Sequence, residues 1–90
     1  MIIVWLAKAI TNRDALIDHI ALENLQAAID QDNQIELHMI PLKDNPEIGR
    51  IGRKQGTREL VLSKTSFILI YRIRPRAKRI EILRVLQSMI

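Results

Sequence analysis

The spacing of hydrophobic side chains changes once along the chain and divides it into a helical half and a strand half. Ile2-Ile3-Val4-Trp5-Leu6 is a short run of β-branched, aromatic and aliphatic residues, which predicts a strand buried on at least one face. From Ala7 the pattern becomes helical. Ile10, Leu16, Ile17 and Ile20 share a face, with Asn12, Arg13, Asp14 and Asp18 available for the wet side, so a helix is predicted over residues 7–22. Asn24 can accept a free N–H of a following helix. Ala28, Ile35, Met39 and Leu42 then step by seven, four and three, which predicts a second helix over residues 25–43. Pro41 lacks an N–H and crowds the preceding turn, so it is expected to kink or fray the last turn, and Pro46 is a firmer stop. So short a link makes the two helices an antiparallel hairpin.

The stretch from Pro46 to Leu62 holds all three glycines of the chain, Gly49, Gly52 and Gly56, together with Arg50, Arg53, Lys54 and Arg58. Glycines this close resist regular structure, so the stretch reads as a hinge between helices and sheet. After it the period is that of strands. Arg58–Leu62 predicts a strand, Ser63–Ser66 a turn, Phe67–Ile73 a strand apolar on both faces until Arg72 and hence central, Arg74–Arg79 a charged hairpin loop, and Ile80–Leu86 a final strand. Gln87 to Ile90 leaves no room for another element. The predicted order is β-α-α-β-β-β. The last three strands are antiparallel neighbours. The fold class is α+β: one domain over residues 1–90, two-layered, with a helix hairpin on a four-stranded, mainly antiparallel sheet.

Composition adds limits. A chain of 90 residues buries roughly 60–65% of the surface its unfolded form exposes, enough for one modest core. The absence of cysteine excludes disulfides, thiol chemistry and cysteine-based zinc sites, and suits a cytoplasmic protein. The apolar N-terminus is too short to span a bilayer and lacks a signal-peptide layout, so no membrane association is expected. His19 and His38 fall on different helices without a third ligand, so no metal and no cofactor is expected. The glycines fit no nucleotide-binding loop.

Charge is more informative. Residues 1–49 carry three basic and eight acidic side chains, a balance of −5; residues 50–90 carry eleven and two, a balance of +9. A sheet half this basic attracts nucleic acid or an acidic protein. Arg50 and Arg53 can engage such a partner bidentately, or pair with Asp44 or Glu47 in a solvated loop. Arg58 and Glu59, beside Arg72 and Arg84 on neighbouring strands, are expected to form a cross-strand ion network. Tyr71 has the parity of Phe67 and Leu69 and reads as a core tyrosine.

Four blocks resemble one family, in order and over nearly the whole chain: Asn45-Pro46-Glu47-Ile48-Gly49-Arg50-Ile51-Gly52-Arg53, Gly56-Thr57-Arg58-Glu59-Leu60-Val61, Ile68-Leu69-Ile70-Tyr71-Arg72 and Ile80-Glu81-Ile82-Leu83-Arg84-Val85-Leu86. They are similar to the RelE/ParE superfamily of toxins from bacterial type II toxin–antitoxin systems, closer to the ParE-like group. The resemblance implies a toxin that arrests growth, of the kind tied to plasmid stabilisation and stress response, neutralised by a cognate antitoxin whose complex can bind operator DNA. ParE-like members inhibit DNA gyrase without being enzymes, whereas RelE-like members cleave mRNA on the ribosome.

Cleavage of RNA at its own 2′-hydroxyl needs a base, an acid and cationic support. Positions where RelE-like members carry basic residues hold Glu59, Val61 and Ile68 here, and Gln87 stands where many members have a titrating His. Tyr71, Arg72 and Arg84 remain as the set a ribonuclease would use. The expected target-binding face is therefore Arg50, Arg53, Lys54, Arg58, Arg72 and Arg84, acting on gyrase. The alternatives are the ribosome-dependent endoribonuclease and an inactive relic that keeps antitoxin binding, suggested by Gln87 and by the end at Ile90, where relatives carry a few more residues.

Overall fold

A computed structural model describes residues 1–88. The elements are β1 (Ile2–Trp5), α1 (Ala7–Glu23), α2 (Leu25–Asp44), β2 (Arg50–Ile51), β3 (Arg58–Leu62), β4 (Phe67–Arg74) and β5 (Arg79–Gln87). The strands form one sheet in the order β1-β5-β4-β3-β2. Strands β3, β4 and β5 are antiparallel neighbours with β4 at the centre, as the pattern predicts. Strand β1 pairs in parallel with β5 along one edge, Ile2 opposite Arg79 and Trp5 opposite Ile82. The expectation for the segment after Gln87 falls partly on Met89 and Ile90, outside the described residues.

Among the described residues the sheet has five strands where the hydrophobic pattern predicts four. The added strand, β2, lies inside the glycine stretch and pairs antiparallel with β3, Arg50 opposite Glu59. Two residues carry no readable period. What creates the strand is the turn that follows it. Gly56 takes φ +80°, Thr57 N–H donates to Lys54 O, and Gly52 N–H donates to Thr57 O at 2.8 Å. A positive φ is open to glycine without steric cost.

The helix hairpin turns on a single residue. Asn24 ends α1, its N–H donating to Ile20 O, and starts α2, its Oδ1 accepting from Ala27 N–H at 3.0 Å. Helix α2 continues through Pro41 to Asp44, contrary to the expected fraying. The proline loses its own N–H bond, but its carbonyl still accepts from Asn45 N–H at 2.8 Å and the last turn is kept. Ala28, Ile35 and Leu42 are buried as the spacing predicts, with Met39 packed beside them. On α1 the stripe is shifted. Ala9 is buried with Leu16, Ile17 and Ile20 packed on the core, whereas Ile10 is exposed. One residue is about 100° of helix rotation, so a stripe centred on Ala9 turns Ile10 outward. The same stripe draws in Arg13, expected on the wet side. It donates to Asp32 and Glu36 on α2, each at 2.8 Å, and its guanidinium lies 4.9 Å from the Trp5 ring centre.

The helices cover one face of the sheet, where Leu62, Phe67, Leu69, Tyr71, Ile80, Ile82 and Val85 form the core with Ala9, Ile35 and Leu42. Tyr71 is buried there, and its hydroxyl latches the connection between helices and sheet. It donates to Pro46 O at 2.6 Å and accepts from Gly49 N–H at 2.9 Å. A Cβ at position 49 would stand 2.7 Å from that oxygen, which is why glycine occupies it. Burial raises the Tyr71 pKa above its ordinary value and keeps the hydroxyl protonated. Replacing Tyr71 with Phe leaves a part-buried carbonyl and a buried N–H without their partner. It is expected to cost about 1–3 kcal/mol in urea unfolding. Gly49→Ala is expected to cost about 1–3 kcal/mol by overpacking. An unchanged unfolding midpoint in both variants would contradict the latch.

Candidate functional site on the helix-free sheet face

Alternation along β4 sends Phe67, Leu69 and Tyr71 into the core and leaves Ile68, Ile70, Arg72 and Arg74 for the face without helices. On β5 the alternation is interrupted. Ile70 pairs with Arg84 and Tyr71 with Ile82, so Leu83 is an extra residue in a bulge. A bulge changes which side chains share a face. Here it lets Ile80, Ile82 and Val85 all join the core while Glu81, Arg84 and Leu86 stand opposite Arg72, Ile70 and Ile68.

Two adjoining grooves result, with Ile70 in the wall of both. The larger, about 580 Å³, runs between the glycine turn and β5 and is lined by Lys54, Arg72, Arg74 and Arg84 around Ile70 and Leu83. The smaller, about 300 Å³, has Arg50, Arg53 and Glu59 on one side and Ile68, Leu86 and Gln87 on the other. The face combines an aliphatic floor with cationic walls. The described aromatic rings are elsewhere: Phe67 and Tyr71 in the core, Trp5 on β1 beneath Arg13.

Two buried carboxylates organise these cations. Glu59 accepts from Arg53 N–H at 3.2 Å and pairs with Arg50 at 3.0 Å, and these contacts lower its pKa. Glu81 sits among three guanidiniums, Arg72 at 2.6 Å, Arg79 at 2.7 Å and Arg74 at 3.2 Å. The Arg72 bond, supported by Arg74 and Arg79 against the opposing effect of burial, holds the Glu81 carboxyl at about 2. Both carboxylates are ionised and engaged at neutral pH, a poor state for accepting or delivering a proton.

The cations predicted from sequence are thus partly gathered and partly separated. Arg50 and Arg53 share one groove, and Lys54, Arg72 and Arg84 the other. Of the two alternatives for Arg50 and Arg53, the pairing with Asp44 or Glu47 does not form: Arg50 pairs with Glu59, and Arg53 meets Glu59 only through its backbone N–H. Arg58 stands apart. Opposite Tyr71 in the register, it donates to Gly49 O at 2.8 Å and Glu47 O at 3.2 Å. The expected network joining Arg58 and Glu59 to Arg72 and Arg84 does not form, because neighbouring residues on a strand point to opposite faces. Glu59 is served from β2, Arg72 turns to Glu81, and Arg84 Nε donates to Asn12 Oδ1 at 2.9 Å. Asn12, expected on the wet side of α1, also accepts from Val85 N–H, on a stretch of β5 that β1 does not reach. The organising role of Glu81 escapes single-sequence reading, as does that of Asn12, because each depends on partners brought close by pairing. His38 braces α2 against the β3–β4 turn through Gln34 O and Ser63 Oγ. Among the described residues no group of three His, Cys, Asp or Glu side chains could hold a metal.

A third groove, about 400 Å³, lies between β1 and α2 and is lined by Ile3, Trp5, Met39 and Ile40 with Glu36 and Lys43 at its rim. Among the described residues no strand pairs with the outer edge of β1 beside it. Among the described residues no helix is long and apolar enough to cross a membrane.

The family model described as ParE toxin of type II toxin-antitoxin system, parDE, matches residues 3–89. No curated protein matches the sequence significantly. Among solved structures, a chain of the chromosomal ParDE TA system from P. aeruginosa superposes with a TM-score of 0.85 at 28% identity, over 98% of this chain and 96% of that one.

The Glu81 cluster has a measurable signature. The folded-state pKa of about 2 lies below the ordinary 4.5, so the stability this carboxylate contributes is complete above pH 4.5 and is lost as pH falls toward 2. Glu81→Gln is expected to unfold at lower urea than the parent at pH 7, with the gap narrowing between those two pH values. A gap independent of pH would show that the cluster contributes nothing through the Glu81 charge.

Proposed function

The chain belongs to the ParE toxin family of type II toxin–antitoxin systems, and from that membership we propose that it arrests growth by binding DNA gyrase and is neutralised by a cognate antitoxin. The observation that carries the binding mode is the helix-free sheet face. Arg50, Arg53, Lys54, Arg72 and Arg84 border two aliphatic-floored grooves on it. Cations beside apolar surface suit a protein target with acidic and aliphatic side chains, the cations steering encounter and the apolar floor supplying burial. Arg58 contributes indirectly by holding the carbonyls of Glu47 and Gly49, and so the strand that carries Arg50.

Ribosome-dependent mRNA cleavage is the weaker reading. Of its candidate residues, Tyr71 spends its hydroxyl on Pro46 and Gly49 inside the core, and Arg84 is tied to Asn12. Arg72 could support a phosphate, but Glu59 and Glu81 are ion-paired and unsuited to proton transfer. For the antitoxin, the groove between β1 and α2 offers an apolar seat beside an open strand edge, where an added strand or an amphipathic helix can dock. An antitoxin complex of this kind would also be the form that reaches operator DNA.

Purified protein is expected to inhibit gyrase supercoiling at micromolar concentration. Charge reversal at Arg72 or Arg53 is expected to weaken inhibition about tenfold or more, as loss of a buried polar contact at an interface does. Expression without antitoxin should arrest growth, and primer extension on ribosome-bound mRNA should show no new ends. Absence of gyrase inhibition would discard the target, new cleavage ends would install the ribonuclease reading, and unimpaired growth would identify an inactive relic.

A further inference from the structure

The β4–β5 hairpin carries a charge concentration of which the larger groove takes in Arg72, Arg74 and Arg84, while Arg76, Lys78 and Arg79 line neither groove. Residues 72–84 carry six cations and one carboxylate, Glu81. The tip, Pro75 to Lys78, is exposed and closed by Lys78 N–H donating to Pro75 O, with Lys78 at φ +53°. Arg74 and Arg79 face each other across its base. Glu81 binds Arg72 and Arg74 through their Nε atoms. One carboxylate therefore holds a fan of guanidiniums in place, sparing a ligand part of the cost of ordering them.

We propose that this hairpin tip is a phosphate-contacting element that binds duplex DNA without regard to sequence. The chemistry selects the partner. Arg76 lies between Pro75 and Ala77, and Lys78 between Ala77 and Arg79, so the tip offers no large apolar side chain to anchor an acidic peptide or enter a bilayer. A phosphodiester backbone needs only cations and donors at repeated intervals. Arg72 and Arg74, two residues apart on one strand, are separated by about 6.6 Å, close to the interval between successive phosphates. A narrow two-stranded projection can follow a DNA backbone without the rest of the sheet making contact. The proposal does not rest on the gyrase target, since it concerns DNA alone.

The test is fluorescence anisotropy of the full chain with a labelled mixed-sequence duplex of about 20 base pairs across a salt series. Four to five phosphate contacts give a slope of log K against log salt of about −4. The variant Arg76→Ala/Lys78→Asn, with asparagine chosen to suit the left-handed turn position, should lessen that slope by about 2 and weaken binding at 0.1 M salt on the order of tenfold per cation removed. Arg76→Ala alone, at an exposed turn residue, should show half the effect with an unchanged melting temperature. Lys64→Asn is the matched control. Lys64 also has a positive φ, +64°, but lies in the turn at the opposite end of β4, and its loss should leave binding intact. A slope near zero, an equal loss in the Lys64 variant, equal competition by polyglutamate of the same charge, or tighter retention on phosphatidylserine vesicles would each overturn the assignment.

Discussion

The hydroxyl of Tyr71 holds together two parts of the chain that have little else in common. It reaches from the central strand through the core to Pro46 and Gly49, at the point where the helix hairpin ends and the sheet resumes. Arg58 grips the same segment from the next strand. With residues 46–49 anchored in this way, the chain leaves in register to form β2 opposite β3. That register puts Arg50 over Glu59 and brings Arg53 to the rim of the smaller groove. The position of half of the basic face thus depends on a tyrosine that does not belong to that face.

The other half depends on carboxylates. Residues 50–90 hold only two acidic side chains, and both are buried on the helix-free side. Glu59 pairs with the Arg50 side chain on β2 and accepts from the backbone N–H of Arg53 in the following turn, while Glu81 collects guanidiniums from both arms of the β4–β5 hairpin. A buried carboxylate surrounded by guanidiniums is stabilised as the anion, and it fixes the directions of side chains that would otherwise sweep through solvent. The surface remains strongly positive but gains a defined shape. This is what a surface that must recognise a macromolecule requires, more than charge alone.

Much of the architecture was legible along the chain. Element order, the antiparallel helix hairpin, the Asn24 cap and the central place of β4 follow from hydrophobic period and local capping chemistry. The core identity of Tyr71 followed from parity. The misses share a cause. The exposed Ile10, the half-buried Arg13 and the uninterrupted helix at Pro41 each depend on how an element rotates or continues once packed. Strand β2 is too short to have a period, and exists because the glycine turn folds it back onto β3.

The amino-acid sequence by itself determined the fold class, the segregation of charge between helices and sheet, and the blocks that mark its family. These rest on composition and short-range period, which each segment carries whatever its neighbours do. Only the tertiary structure decided which cations act together. The Leu83 bulge sets the face that Arg84 occupies, parity across β3 separates Arg58 from Glu59, and Glu81 gathers arginines from both arms of one hairpin. Those choices follow from strand register and pairing. A shift of one residue would send every side chain to the other face, and a strand's own alternation fixes its register only together with the turn and the partner strand it meets.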